Sequence, residues 1–261
     1  MLVSSHRRNN QARYAGYLKS NVLWYGEMFG LSQYEINFTN NIELTIPNKK
    51  LRLGLLVEKF IFACLRENEN IELLKTNLQI IQNKKTLGEL DCLLLDKGKP
   101  IHLEFAFKFY LYDPGISGNE IDKWIGPNRN DSLKQKLVKL KSQQMPLLHH
   151  PKSNEIINDF GYNSEIFEQK VHFKAQLFVP LGQSEQVIAE VNSACISGFY
   201  VTNNELDLFK QHEFYLPAKL DWLIDPHSDV SWLSYSEYSE VIEMELNKSK
   251  SPLCWMRDSK G

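Results

Sequence analysis

The chain has 261 residues, 43% of them hydrophobic and 24% charged, with 30 Lys and Arg against 32 Asp and Glu for a net charge of −2. That length suits one large domain, or one domain with an appendage. No window approaches eighteen uninterrupted apolar residues, which excludes a membrane-spanning helix.

The N-terminus, MLVSSHRRNNQARYAG, is basic but lacks the apolar stretch of a secretory signal. Cys64, Cys92, Cys195 and Cys254 are scattered, with no CxxC or Cys/His spacing for zinc. Free thiols and a cytoplasmic location are therefore expected. Basic residues gather in two places: Arg7, Arg8, Arg13 and Lys19 at the start, and Lys123, Arg129, Lys134, Lys136, Lys139, Lys141 and Lys152 further on. Both are compatible with phosphate contacts and equally with ordinary solvated helix faces.

In chain order, residues 11–30 predict a helix with an aromatic face (Tyr14, Tyr17, Trp24, Phe29) that closes at Gly30. RLGLLVEKFIFACLRE, residues 52–67, has the spacing of an amphipathic helix. Glu58 lies inside it beside Val57 and Phe60, where an unpaired carboxylate is costly. It either serves chemistry or sits at the edge of the stripe paired with a lysine.

Residues 76–82 predict a first strand and 87–96 a second, with Lys97–Pro100 as the turn. From Ile101 to Phe109 the chain alternates strictly. Ile101, Leu103, Phe105, Phe107 and Phe109 face one way; His102, Glu104, Ala106, Lys108 and Tyr110 face the other. This hairpin brings Asp91 and Glu104 within reach of each other if the register pairs them, with Lys108 on the Glu104 face.

Residues 116–130 are expected to form a loop able to overhang that face, and Asp131 to cap a helix running to Gln144. The pair His149–His150 lacks a third ligand and is not expected to bind metal. Strands are expected at 171–179 and 194–201, and a short helix at 203–211. A tail with Phe214, Trp222, Trp232 and Trp255 follows, read mainly as packing against the core and otherwise as a surface for a protein partner.

Two carboxylates and a lysine on neighbouring strands suit magnesium-dependent phosphodiester hydrolysis, because Mg²⁺ takes hard oxygen ligands and keeps several waters. Asp91, Glu104 and the Phe105 backbone carbonyl are candidate metal ligands, with Glu58 for a second ion or a metal-bound water. Lys108 would orient or deprotonate the attacking water or neutralise phosphate charge. Gly88 would permit close backbone approach. Glu89 shares the Asp91 strand face and is a rival or additional ligand. The competing reading is a solvated polar strand face on which Glu104 and Lys108 form a surface pair.

The order of helix with Glu58, strand, Gly88–Asp91, and then a strand with Glu104 and a downstream lysine resembles the PD-(D/E)XK nuclease superfamily. HLEFAFKFYLYD at 102–113, with Gly126, Pro127 and Asp131, resembles DUF1853, a bacterial family grouped with that superfamily by remote similarity. The resemblance implies an α/β fold: a restriction-endonuclease-like core with a central mixed sheet flanked by helices. It divides the chain into an N-terminal helical segment (1–50), the core (51–180) and a C-terminal α+β elaboration (181–261).

It further implies a nuclease using Mg²⁺ or Mn²⁺ on DNA or RNA, with Glu58, Asp91, Glu104 and Lys108 as catalytic residues. The alternative is a catalytically silent module of the same fold that binds nucleic acid or protein. The superfamily pattern has one residue between acid and lysine. Here Ala106 holds that position and Lys108 lies about 6.6 Å further along the strand. Lys134 or Lys136 from the helix could take the role instead. His102, on the same face, either hydrogen-bonds at the site or is structural.

Overall fold

A computed structural model describes residues 2–39, 42–46, 51–183 and 190–258, with side chains from residue 9 onward. Helix α1 (Leu2–Lys19) ends well before Gly30. The aromatic run after it folds into a small hairpin of β1 (Glu27–Met28) and β2 (Leu31–Ser32). Its turn holds Phe29 and Gly30 at φ 58° and 72°, the two left-handed conformations a tight hairpin needs. Leu23, Trp24 and Leu31 thereby reach a core that a continued helix would not have presented together.

Helix α2 (Leu53–Arg66) buries Leu53, Leu56, Val57, Phe60, Ile61, Cys64 and Leu65. Their spacing places them along one broad helical face, and Phe62, beside that face, is buried as well against Phe105. Next come β3 (Ile71–Gln82), β4 (Lys85–Asp96) and β5 (Lys99–Tyr112), an antiparallel meander. The first strand begins at Ile71 rather than at residue 76. The turn after β4 narrows to Lys97 and Gly98, at φ 50° and 79°.

The segment 116–130 is more ordered than a loop. It contains a 3₁₀ turn at Glu120–Lys123 and β6 (Trp124–Ile125), which pairs with the end of β5 and buries Trp124. Ser132, not Asp131, caps α3 (Leu133–Lys139), accepting the Gln135 N–H at 3.2 Å. A π-helical turn (Leu140–Gln144) and α4 (Met145–Leu147) continue the helix, and α5 (Pro151–Asp159) follows.

β7 (Glu168–Pro180) returns parallel to β5, and β8 (Ile196–Tyr200) adds parallel to β7. The mixed sheet has the order β3-β4-β5-β7-β8 with β6 at one end of β5. Beyond it, β9 (His212–Tyr215) pairs with β10 (Trp255–Asp258) under α6 (Tyr235–Leu246). The described residues hold no helix long and apolar enough to cross a membrane.

The alternation of β5 sorts the core. Ile101, Leu103, Phe105, Phe107 and Phe109 pack toward α1, α2 and Trp222. Ala106, Tyr110 and Tyr112 pack toward Leu133, Leu137, Leu140 and Met145 of the later helices. The polar face of β5 is thus roofed by the α3–α4 segment rather than bathed in solvent. The tail aromatics pack inward: Trp222 meets Phe109 edge-on at 5.0 Å, and Phe214 stacks on Tyr238 at 4.0 Å.

Candidate active site

The β4–β5 ladder pairs Cys92 with Leu103 and stops there. One step on, Asp91 and Glu104 stand opposite each other and replace ladder bonds with side-chain bonds. The Asp91 N–H donates to Glu104 Oε1 at 3.3 Å, and the Phe105 N–H donates to Asp91 Oδ2 at 2.8 Å. A strand residue's N–H and C=O share an edge. The Phe105 carbonyl therefore faces the same gap between β4 and β5.

Glu104 is fully buried and held on every side. The Gln144 amide, delivered by the π-helical turn, donates to its Oε2. His102, also fully buried, lies 3.0 Å from Oε1 through Nε2. The Gln169 amide donates to His102 Nδ1 at 3.1 Å and to the Met145 carbonyl at 2.6 Å. Burial lowers the His102 pKa to about 4, so the ring is neutral, accepts at Nδ1 and donates from Nε2. His102 is thus a hydrogen-bonding member of the site.

Burial raises the pKa of both acids to about 7. For Asp91 the Glu104 charge is the next cause; for Glu104 the neighbouring Glu89 adds to it. Lys136, from the roof helix, opposes this. Its ammonium favours both carboxylates in their charged form, while burial lowers its own pKa. The Lys136 Nζ donates to Gln144 Oε1 at 2.9 Å, completing a chain from lysine through amide to Glu104.

The other sequence candidates lie apart. Lys108 Nζ binds Asp131 Oδ2 at 2.7 Å, with both side chains more than a third exposed. Gly126 makes that possible: its N–H donates to the Asp131 carbonyl at 2.7 Å, and a Cβ there would fall 1.9 Å from Asp131 Oδ1. The Gly-Pro…Asp pattern thus presents the carboxylate that holds Lys108. Lys134 pairs with Asp122 at 2.5 Å. At Gly88 the close neighbour is Leu147, whose Cδ2 would stand 2.7 Å from an added Cβ.

Glu58 sits at the edge of its helix stripe. Its Oε1 accepts from Asn77 Nδ2 at 3.0 Å and lies 3.7 Å from Lys59 Nζ. Its charge still reaches Asp91, raising that pKa. The register pairing Thr76 with Cys92 and Leu78 with Leu90 sets Asn77 beside Asp91, at φ 51°. Asn tolerates that conformation better than most residues. Asn77, Gln144 and Gln169 are absent from the sequence-derived set, because a neutral amide on a strand or helix carries no signal of its own.

Among the described residues, no group of three or more His, Cys, Asp or Glu is arranged to hold a metal ion. What the structure brings together is a smaller set: two carboxylates and one strand carbonyl. That fits Mg²⁺, which is commonly held by one or two carboxylates with its remaining positions filled by water. Acids whose pKa values are raised by burial and by each other's charge are stabilised in their charged form by a cation beside them.

Much of the basic surface is neutralised. Lys123 pairs with Glu120, Arg129 with Asp113, Arg13 with Asp221, and Lys19 with Asp225. Lys136, Lys139 and Lys141 have no carboxylate partner among the described residues, and Lys141 lies over the Phe29 ring at 5.3 Å.

The model of one protein family, described as a domain of unknown function (DUF1853), matches residues 31–260. No curated protein and no solved structure matches the chain.

Proposed function

The chain belongs to the DUF1853 family, and we propose that it is a divalent-metal-dependent nuclease with a restriction-endonuclease-like core, hydrolysing phosphodiester bonds of DNA or RNA. The observation that carries this reading is the Asp91–Glu104 pair, set side by side across two strands, Glu104 buried and Asp91 partly so, both raised toward neutrality and coupled to Lys136. The topology supports it: a helix carrying Glu58, three antiparallel strands, a helical crossover and a parallel strand follow the order the resemblance implies.

Asp91, Glu104 and the Phe105 carbonyl would hold Mg²⁺ or Mn²⁺. When bound, such an ion supplies positive charge beside the phosphodiester and makes a water more acidic. The chain's own residues do the rest. His102 and Gln169 hold the Glu104 carboxylate in one orientation. Lys136 takes the role that the displaced Lys108 leaves open. Its lowered pKa suits an amine that receives a proton from water, and its charge suits the phosphate oxygens. Lys108, a little over a third exposed beside Asp131, would exchange that carboxylate for an incoming phosphate.

Calorimetric titration with Mg²⁺ and Mn²⁺, paired with cleavage assays on single- and double-stranded DNA and RNA, tests the reading. Binding and cleavage are expected in the wild type and lost in both Asp91→Ala and Glu104→Ala. Absence of metal binding and of cleavage in the wild type refutes it.

A second reading, a silent module of the same fold that binds nucleic acid or protein, is favoured by one specific arrangement. Lys108 is tied to Asp131, and the Gln144 amide occupies Glu104 Oε2. It predicts nucleic-acid binding that weakens steeply with salt, without metal-dependent cleavage. A protein partner engaging the C-terminal aromatics would show as binding without either.

A further inference from the structure

The β1–β2 hairpin holds an exposed aromatic ring in a backbone conformation that disfavours it. Its two-residue turn is Phe29–Gly30, closed by the Met28–Leu31 pair, with φ 58° and 72°. A turn of this kind prefers Asn, Asp or Gly at its first position, and a bulky residue there carries strain. Phe29 occupies that position with 43% of its surface exposed, so burial does not offset the strain. On the same hairpin, Tyr25 is 64% exposed.

The hairpin stands beside the carboxylate site. Leu31 and Trp24 share a core with Ala106, Leu140 and Met145, on the Glu104 face of the sheet. Lys141 Nζ lies over the Phe29 ring at 5.3 Å and would stand 2.9 Å from a Cβ on Gly30. Lys141 belongs to the π-helical turn whose Gln144 reaches Glu104. One turn of helix therefore separates the ring from the acid pair. Among the described residues neither Lys139 nor Lys141 has a carboxylate partner, and Glu27, the one acid of the hairpin, pairs with neither.

Exposed rings beside uncompensated ammonium groups suit a nucleic-acid strand whose bases are free. Its bases stack on the rings while its phosphates meet the lysines. A duplex keeps its base faces covered and gains only the second term. We propose that Phe29 and Tyr25, with Lys139 and Lys141, form a base-stacking platform that delivers single-stranded DNA or RNA to the acid pair. This names the substrate class of the proposed nuclease and rests on that reading.

The test is binding alone, without metal. Fluorescence anisotropy of labelled oligothymidylate and oligouridylate is compared with a duplex of equal length, at low salt with EDTA. The single strands should bind at least about tenfold more tightly than the duplex. Phe29→Asn removes the ring and installs a residue the turn prefers. It should weaken strand binding by about 5- to 150-fold, the worth of one stacked base, while stability to urea is unchanged or raised. Lys141→Gln should lower the slope of log K against log salt by about 0.7. Equal affinity for duplex and single strand, or unchanged strand affinity in Phe29→Asn, overturns the proposal. If that variant does not fold, Tyr25→Ala decides by the same criterion. Failure of the wild type to bind either nucleic acid leaves the rings to a protein partner and also overturns it. Strand binding without cleavage in Mg²⁺ refutes the nuclease reading alone, whereas cleavage without strand preference refutes the platform alone.

Discussion

The Asp91 N–H donates to Glu104 Oε1 at 3.3 Å, so a partly buried acid and a fully buried one lean on each other across a ladder that has just ended. The consequence is a pH dependence with a defined sign. Both folded pKa values are raised to about 7, from unfolded values of about 4. The native state therefore binds the extra protons. The stability this contributes is fully present below about pH 4 and is lost as pH rises through about 7.

His102 and His172 act in the opposite sense. Burial lowers both to about 4, so their contribution is lost as pH falls from about 6.5 through about 4. The two pairs offset one another between about pH 4 and 6.5, and the carboxylates dominate above that. Lys174, lowered by burial to about 8, adds stability as pH rises past about 7.5. Urea unfolding of the metal-free wild type should accordingly show stability falling from about pH 6.5 to 7.5. In Asp91→Asn/Glu104→Gln that fall is absent, so stability should rise to about pH 6.5 and not decrease between about 6.5 and 7.5. Identical profiles for the two proteins would refute the raised pKa values.

The two lysines make a second test. Lys136 is partly buried and electrostatically coupled to both acids, whereas Lys108 is bound to Asp131 at 2.7 Å. Lys136→Met should lower metal-dependent cleavage by about 10²–10³-fold, the range for losing a general base or a transition-state charge partner. Lys108→Met should cost less than about tenfold. Single-turnover cleavage at saturating Mn²⁺ measures both, and the reverse order would return the role to Lys108.

These tests follow from how much of the site the sequence reveals. Period-two alternation places Glu104 and Lys108 on one strand face, and the short hairpin sets Asp91 opposite Glu104. The sequence does not reveal that this face is buried, because the roof helix that covers it arrives only at Leu133. Nor does it single out Lys136. Several lysines decorate that helix, and its rotation against the sheet decides which one turns inward. Asn77 reads as an ordinary polar strand residue; its role depends on a left-handed φ inside β3. The end of α1 is misread for a related reason. Leu23, Trp24 and Phe29 continue an aromatic pattern, but the helix has already ended at Lys19, and the paired left-handed turn at Phe29 and Gly30 belongs to the hairpin beyond it.

The packing of α1 depends on one glycine. A Cβ on Gly16 would fall 1.6 Å from the backbone oxygen of Leu223, which cannot rotate away as a side chain can. Gly16→Ala should therefore destabilise the protein by about 1–3 kcal/mol, the cost of overpacking, despite alanine's better helix propensity. Gly54, in α2, has nothing within 4 Å of an added Cβ. Gly54→Ala should be neutral or stabilise by up to about 1 kcal/mol. Chemical denaturation of the two variants reads out the contrast, and equal effects would mean that α1 does not pack against Leu223 in solution.

The contact of Asn77 with Glu58 bears on whether a third carboxylate can join the site. Asn77 lies beside Asp91 in register and holds Glu58 Oε1 at 3.0 Å. While that bond stands, Glu58 acts on Asp91 only through its charge. Glu58→Gln should then change Mg²⁺ affinity by less than about threefold, a difference under about 0.7 kcal/mol, far less than Asp91→Asn. Asn77→Gly accepts the left-handed φ but removes the amide, freeing Glu58 to turn toward the ion. In that background Glu58→Gln should cost more affinity than in the wild type. The double-mutant cycle isolates the coupling. A cycle with no coupling would mean that the amide does not restrain Glu58, and that distance alone keeps this carboxylate from the metal.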